Sequence, residues 1–422
     1  MTVSTSPSNT NDDVQRALVN LQSLNPRLRS QAAEDLGRMQ NPDGINTLIE
    51  MLDTDVNTYV RSACAEALGH IGLPQAIFPL MDAIRDNCSF VRRAAIIALG
   101  QMQAKQAQGA LIQALEDPNF YVRRAAINAI GKLDLPELGN TLLPFLDTHD
   151  PRIQRTTIIA LRRLAATETI PVMIDMLQTF VRDPNQRDLP VVKTLVIALG
   201  ELNATEAAPV LIDVLRGYVG VRSLAATALA QIGAHQAIPA LLQALEDKSV
   251  NLQLASLKSL GQLGSPRILP DIIKFLDAPD PRLRRSVIYT IGMLKDKASA
   301  SILLEIAQND ASPLVRPAAV EAIGMLGNPD MITPLLAMAT DSNAYLRAAL
   351  AHTLSSLDGE SENVQKVLRA LSQDQVEHVA IAAQRALARC EARSHHPSPD
   401  PAACPEPTQK HKSWLSRFLG RN

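Results

Sequence analysis

Apolar residues along this chain do not alternate with polar ones. They return at helical spacing, in blocks that themselves repeat. The stretch Phe90-Val91-Arg92-Arg93-Ala94-Ala95-Ile96-Ile97-Ala98-Leu99-Gly100 comes back 31 residues later as Tyr121-Val122-Arg123-Arg124-Ala125-Ala126-Ile127-Asn128-Ala129-Ile130-Gly131. Self-similarity at such a period marks a repeat architecture, in which each unit buries its apolar face against its neighbours. Function is then to be sought on a surface shared by many units before any single pocket.

With Arg92 as the pivot, equivalent positions fall at Arg29, Arg61, Arg92, Arg123, Gln154, Val192, Arg222, Gln253, Arg284, Arg316, Arg347 and Ala380. The steps are mostly 31 or 32 residues, room for two short helices and two turns, so the pattern predicts about twelve helical hairpins whose second helix begins around the pivot. Eight positions after the pivot a small residue recurs, as in Gly37, Gly69, Gly100 and Gly131, with Arg162 the exception. It marks either a close helix approach or the end of the helix. The preceding helix carries an apolar face such as Leu111, Ile112 and Leu115, and often an early proline such as Pro79, Pro171 or Pro239, where the missing N–H costs nothing.

Six residues before the pivot an aspartate is common. This predicts a ladder in which Asp55, Asp86, Asp117, Asp310 and Asp341 cap turns and accept bonds from Arg61, Arg92, Arg123, Arg316 and Arg347 of their own or the adjacent unit. A charge pair repeated in every unit fixes packing and marks no single site. Between the fifth and sixth pivots the step lengthens to 38 residues, with the extra residues around Gln178 to Leu189, read as a binding-edge insertion or an unselected surface loop.

Composition sharpens this reading. Hydrophobic residues make up 46% but aromatic ones only 3%, which points to an Ala, Leu, Ile and Val core and an all-α fold. A formal charge of −2 argues against nucleic acid as a partner. Cys64, Cys88, Cys390 and Cys404 show no metal-ligand spacing, so neither a disulfide framework nor a metal site is expected. The polar N-terminus, without an apolar signal core, gives a cytoplasmic expectation.

Short hairpins with Asp and Val-Arg six apart, an Ala pair next and Leu-Gly closing the helix resemble HEAT repeats. More narrowly, they resemble the HEAT-like repeats of the phycobilisome lyase superfamily, of the E- and F-type bilin lyases. The resemblance spans residues 12–391 and implies a right-handed α-solenoid with the second helices lining its concave face. It leaves 1–11 as a disordered N-terminus, 392–411 as a Pro-rich linker and 412–421 as a short amphipathic helix. The opening Val14-Gln15-Arg16-Ala17-Leu18-Val19-Asn20-Leu21-Gln22 is similar to that of E-type lyase subunits. Where the resemblance implies Tyr and Trp, however, this chain has Ser30-Gln31-Ala32-Ala33-Glu34-Asp35-Leu36. A tetrapyrrole needs an apolar, preferably aromatic wall, so the departure favours a cyanobacterial HEAT scaffold over an aromatic-motif lyase.

On such a concave face the residue after each pivot meets a partner. Four consecutive units are basic there, Arg93, Arg124, Arg155 and Lys193, making a cationic stripe about 30 Å long at roughly 10 Å per stacked helix. Ile96, Ile127 and Ile158 are expected to border it, and Glu34, Glu66 and Glu321 to make the ends more acidic. The tail offers Trp414, Leu415, Phe418 and Leu419 among Lys412, Arg417 and Arg421, a candidate weak membrane-surface or partner-docking anchor.

Enzyme motifs fail. There is no phosphate-binding loop, no Gly-x-Ser-x-Gly, and no His followed by Glu such as resemblance to HEAT-fold deoxyhypusine hydroxylases would require for iron. The leading expectation is a protein-interaction scaffold or chaperone-like adaptor that holds an acidic protein partner and needs no cofactor. The resemblance brings an iron–sulfur assembly protein into view as that partner. The alternative is a phycobilin lyase or lyase-chaperone subunit, with transient phycobilin as ligand and a phycobiliprotein as partner.

Overall fold

In the computed structural model, residues 10–183, 188–217 and 219–395 are described. The chain divides into two compact units, residues 1–259 and 260–422. Among the described residues there are 24 α-helices and no strand, and the helices alternate as first and second members of twelve hairpins.

All pivots fall on second helices. In the first unit these include Pro26–Met39, Thr58–Ile71, Ser89–Gln101, Phe120–Ile130, Pro151–Arg163, Leu189–Glu201 and Arg222–Gln231. In the second unit they are Pro281–Leu294, Val315–Leu326, Ala344–Asp358 and Glu377–His395. The first helices are shorter and often tighten into a 3-10 turn, as Gln108–Gln113 does at Ala114–Glu116. The expected prolines occupy first turns, Pro171 in Ile170–Arg182 and Pro239 in Ile238–Gln243.

Several second helices start on a side-chain cap four residues before the pivot. Asn57 accepts from the N–H groups of Tyr59 and Val60, and Asn119 from those of Tyr121 and Val122. The aspartate two residues earlier holds the cap itself, as Asp117 accepts from the Asn119 N–H at 2.8 Å. The helices end three residues beyond the position where glycine recurs, on a left-handed residue: Gln40, Gly72, Gln103, Asp134, Asn203, Lys295 and Gly327, and likewise Ala165 after Arg162 and Gly233 after Ala230, all have φ between 50° and 73°. The glycine therefore serves close approach. A Cβ on Gly100 would lie 2.8 Å from the Ala129 Cα, and one on Gly131 2.6 Å from the Ala160 Cα, in each case in the next second helix.

The cores are aliphatic as expected, with Val91, Ile96, Leu99, Leu111, Val122 and Ile130 fully buried. Three expectations need correction. Ile96, Ile127 and Ile158 are 0% exposed, so they cannot border a binding stripe. They lie three residues after the cations, which turns them toward the hairpin interior, whereas Ile97 and Ile159, four residues after, stay half-buried beside Arg93 and Arg155. Arg123 makes no ion pair, because Thr148 stands where the next aspartate would be; it donates to the carbonyls of Asp117 and Pro118 at 2.8 and 3.1 Å. Finally, much of the insertion is helical: Ile170–Arg182 continues through Gln178 and buries Phe180, and Asp188 caps the next helix. The final helix runs to His395. Trp414, Leu415, Phe418 and Leu419 lie outside the described residues.

Candidate protein-docking face

The charge ladder is a stacking device, and it sets the surface that a partner meets. Every pivot arginine except Arg123 reaches the aspartate of the next hairpin. Arg61 donates to Asp86 at 2.7 and 2.9 Å, Arg92 to Asp117 at 2.7 and 3.0 Å, and Arg347 to Asp374 at 2.7 and 2.9 Å. Arg316 pairs with Asp341 in the same way. The remaining guanidinium N–H turns back to its own turn, as from Arg61 to the Asp55 carbonyl at 2.9 Å. Burial by itself would raise these carboxyls. The arginine bonds and a backbone N–H outweigh it and hold Asp55, Asp86, Asp117, Asp310 and Asp341 below the usual carboxylate range.

With the pivot arginines consumed in this way, the neighbouring cations are left over. Arg93, Arg124 and Lys193 are half-buried and Arg155 is exposed, on four consecutive second helices of the first unit. Among the described residues no carboxylate lies within ion-pair distance of any of the four. Other cations nearby are occupied: Arg162 pairs with Glu201 at 2.9 Å, and Arg163 donates to Asn128 at 2.9 Å. The acidic ends are also partly explained. Glu34 and Glu66 line an open cavity of about 390 Å³ with Ser30, Tyr59 and Ser62. Glu321, in the second unit, accepts from the Tyr289 hydroxyl at 2.5 Å.

The sequence reading missed a second row. Two residues before the pivot, three hairpins in succession expose an aromatic ring: Tyr59 at 75%, Phe90 at 63% and Tyr121 at 52%. Cations adjoin this row. The Arg124 guanidinium lies 5.8 Å from the centroids of both Phe120 and Tyr121, and Arg152 lies 4.4 Å from that of Phe120. The signal was present as a column of Tyr59, Phe90 and Tyr121 in a chain with only 3% aromatic residues. A chemistry-bearing cluster is not evident: among the described residues no group of three or more His, Cys, Asp or Glu could hold a metal. Cys64 is buried and its thiol is pushed up to about 12, first by burial, which disfavours the thiolate. No described helix is long and apolar enough to cross a membrane.

Comparison with known proteins bears on the same features. The sequence pattern described as HEAT repeats matches residues 14–100, 79–162, 109–187, 185–252, 238–324 and 301–388. Phycocyanobilin lyase subunit alpha of Nostoc sp. is 26% identical over 134 residues, 28% of this chain and 46% of that protein. Deoxyhypusine hydroxylase of Bos taurus is 29% identical over 109 residues, 25% of this chain and 36% of that one. The chain thus spans less than half the length of either relative. Among solved structures, Kap95p with RanGDP aligns at a TM-score of 0.62 and 14% identity, covering 91% of this chain and 62% of that one, a likeness of fold.

Proposed function

This chain belongs to the HEAT-repeat proteins, and on that premise we propose that it is a binding scaffold that holds an acidic protein segment across the second helices of its first unit. The observation that carries this reading is the row of four cations without carboxylate partners, Arg93, Arg124, Arg155 and Lys193. Beside it runs the row of exposed rings. A cation desolvated beside an apolar surface attracts a carboxylate more strongly than one in open water, and the aromatic row supplies the apolar contact that gives a binding face its energy. The Kap95p structure supports protein binding by this fold, since Kap95p there binds RanGDP.

The test is titration of a fluorescein-labelled peptide of alternating Glu and Phe, read by anisotropy. Replacing Arg93, Arg124 and Arg155 together by Glu is expected to weaken binding at least tenfold while helicity is retained. Equal affinity in the triple variant would reduce the row to a solvated surface.

A second reading is favoured by the lyase relative: a bilin chaperone in a cyanobacterial cell, with the same arginines meeting tetrapyrrole propionates. Mixing the protein with phycocyanobilin decides it, because binding would shift and intensify the long-wavelength absorption. An unchanged spectrum removes this reading.

A further inference from the structure

The face of the first unit is charged in a fixed order along its hairpins. At the position after the pivot the first two hairpins carry Ser30 and Ser62, and the next four carry Arg93, Arg124, Arg155 and Lys193. One helical turn further on, Glu34 and Glu66 stand in the first two hairpins, where the next four have Ile97, Asn128, Ile159 and Ile197. Carboxylates therefore hold one end of the face and cations the rest. Glu34 and Glu66 are exposed, and among the described residues neither carboxylate has a hydrogen-bond or ion-pair partner. With Ser30, Ser62 and the Tyr59 ring they line an open cavity of about 390 Å³ between the second helices Pro26–Met39 and Thr58–Ile71. Arg27 stands in the same lining, two residues before its pivot and so in the column of the rings, and the two carboxylates leave the lining net negative. A cation entering this cavity meets two unpaired carboxylates and an aromatic ring, and both kinds of group attract it.

We infer that the protein segment held on this face carries charge in the matching order, with a lysine or arginine in the cavity between the first two hairpins and an acidic run along hairpins three to six. This rests on the reading of the face as an acceptor of acidic segments. Packed helices lie roughly 8–10 Å apart, so the middle of the cavity is about 12–15 Å from the helix that carries Arg93. An extended chain rises about 3.3 Å per residue, which places the basic residue about four residues from the first acidic one. Exposed ion pairs are individually weak, and charge across an interface fixes register and choice of partner more than it adds affinity. Glu34 and Glu66 accordingly act in two ways. They hold the cation, and they repel a uniformly acidic segment that slides past Arg93 toward the first hairpins.

The test uses the full chain and two peptides with fluorescein at the acidic end. One reads Lys-Lys-Ser-Gly-Ser followed by alternating Glu and Phe, and the other has Gln-Gln in place of Lys-Lys. Anisotropy is expected to show the lysine peptide binding the native protein about fivefold more tightly than the glutamine peptide. In the variant Glu34→Gln/Glu66→Gln, with helicity retained, that advantage is expected to disappear, and the double-mutant cycle isolates the contact. No advantage in the native protein, or an equal advantage in the variant, overturns the inference. A benzophenone side chain in place of the peptide's glycine locates the basic end independently. Crosslinks are expected within residues 26–66, and crosslinks confined to the helices that carry Arg124, Arg155 and Lys193 overturn the charge order. If the glutamine peptide binds in an arginine-dependent way and the lysines add nothing, the charge order falls and the scaffold reading stands. If neither peptide binds, both fall.

Discussion

Arg92 and Asp117, 25 residues apart in sequence, meet side by side through two parallel bonds, Nε to Oδ2 at 2.7 Å and Nη2 to Oδ1 at 3.0 Å. The arginine begins one hairpin's second helix and the aspartate ends the next hairpin's first, so the pair reports whether neighbouring hairpins are docked. Its side chains are only 15% and 9% exposed. At that depth a charge left without its partner is costly, while the intact pair is closer to neutral against an apolar pair of the same size.

Arg92→Ala is therefore expected to destabilise the protein by about 3 kcal/mol, because Asp117 remains behind, half-desolvated. The double variant Arg92→Met/Asp117→Leu is expected to cost less than Arg92→Ala alone. Urea unfolding followed by helical circular dichroism measures both. A double variant as damaged as the sum of the two single variants would show no coupling between the partners and overturn this account of the pair.

The ladder also sets an acid limit. Burial raises the carboxyls of Asp86, Asp117 and Asp310, but bonds from arginine and a backbone N–H reverse the sign and leave them below their ordinary value. A carboxyl depressed in the folded state contributes stability that is fully present above its unfolded value and is lost as pH falls through the folded one. The ladder's contribution to stability is expected to be flat from neutral pH down to about 4 and then to fall steeply. Asp86→Asn/Asp117→Asn should flatten that fall, as urea midpoints measured between pH 2 and 7 would reveal.

The hairpins and the ladder were legible because each depends on one or two residue types at a fixed offset, repeated. The surface was read less well for a geometric reason. Arg93, Ile96 and Ile97 are close in sequence, yet 100° per residue turns Ile96 inward and leaves Ile97 half-buried beside the cation. Offsets of three and four differ by that angle, and periodicity without coordinates does not say which is inside. The recurrent glycine at Gly100 fitted either a close approach or a helix end, and the left-handed residue proves to be Gln103, whose side chain gives no such signal. Position 165 shows the same thing more sharply, with an alanine at φ 51°.

That alanine yields a stabilising change. A left-handed residue with a Cβ costs roughly 1 kcal/mol relative to glycine, part of which the greater freedom of glycine in the unfolded chain cancels. Ala165→Gly is expected to raise stability by about 0.5 kcal/mol, and the urea midpoint should rise with an unchanged slope. Gly100→Ala tests the opposite case. Its Cβ would meet Ala129 at 2.8 Å, backbone against backbone, with no flexible side chain to give way. A loss of about 2 kcal/mol is expected, typical of overpacking.

In the second unit, Tyr289 and Glu321 make a contrasting pair. The hydroxyl donates to the carboxylate at 2.5 Å, but burial raises the Glu321 carboxyl and outweighs both that bond and the charge of Arg285. A carboxyl raised in the folded state costs stability as pH climbs past its unfolded value, the reverse of the ladder aspartates. Glu321→Gln keeps an acceptor for Tyr289 and removes the charge. The variant is expected to match the native protein near pH 4 and to exceed it at pH 7, so the difference between their urea midpoints should grow with pH. Tyr289→Phe removes the donor and leaves the carboxylate less satisfied, so it should lower stability most at pH 7. If the Gln variant were instead the less stable at pH 7, the Glu321 charge would be a net contributor to the packing of these two hairpins, and burial would not be the dominant influence on it.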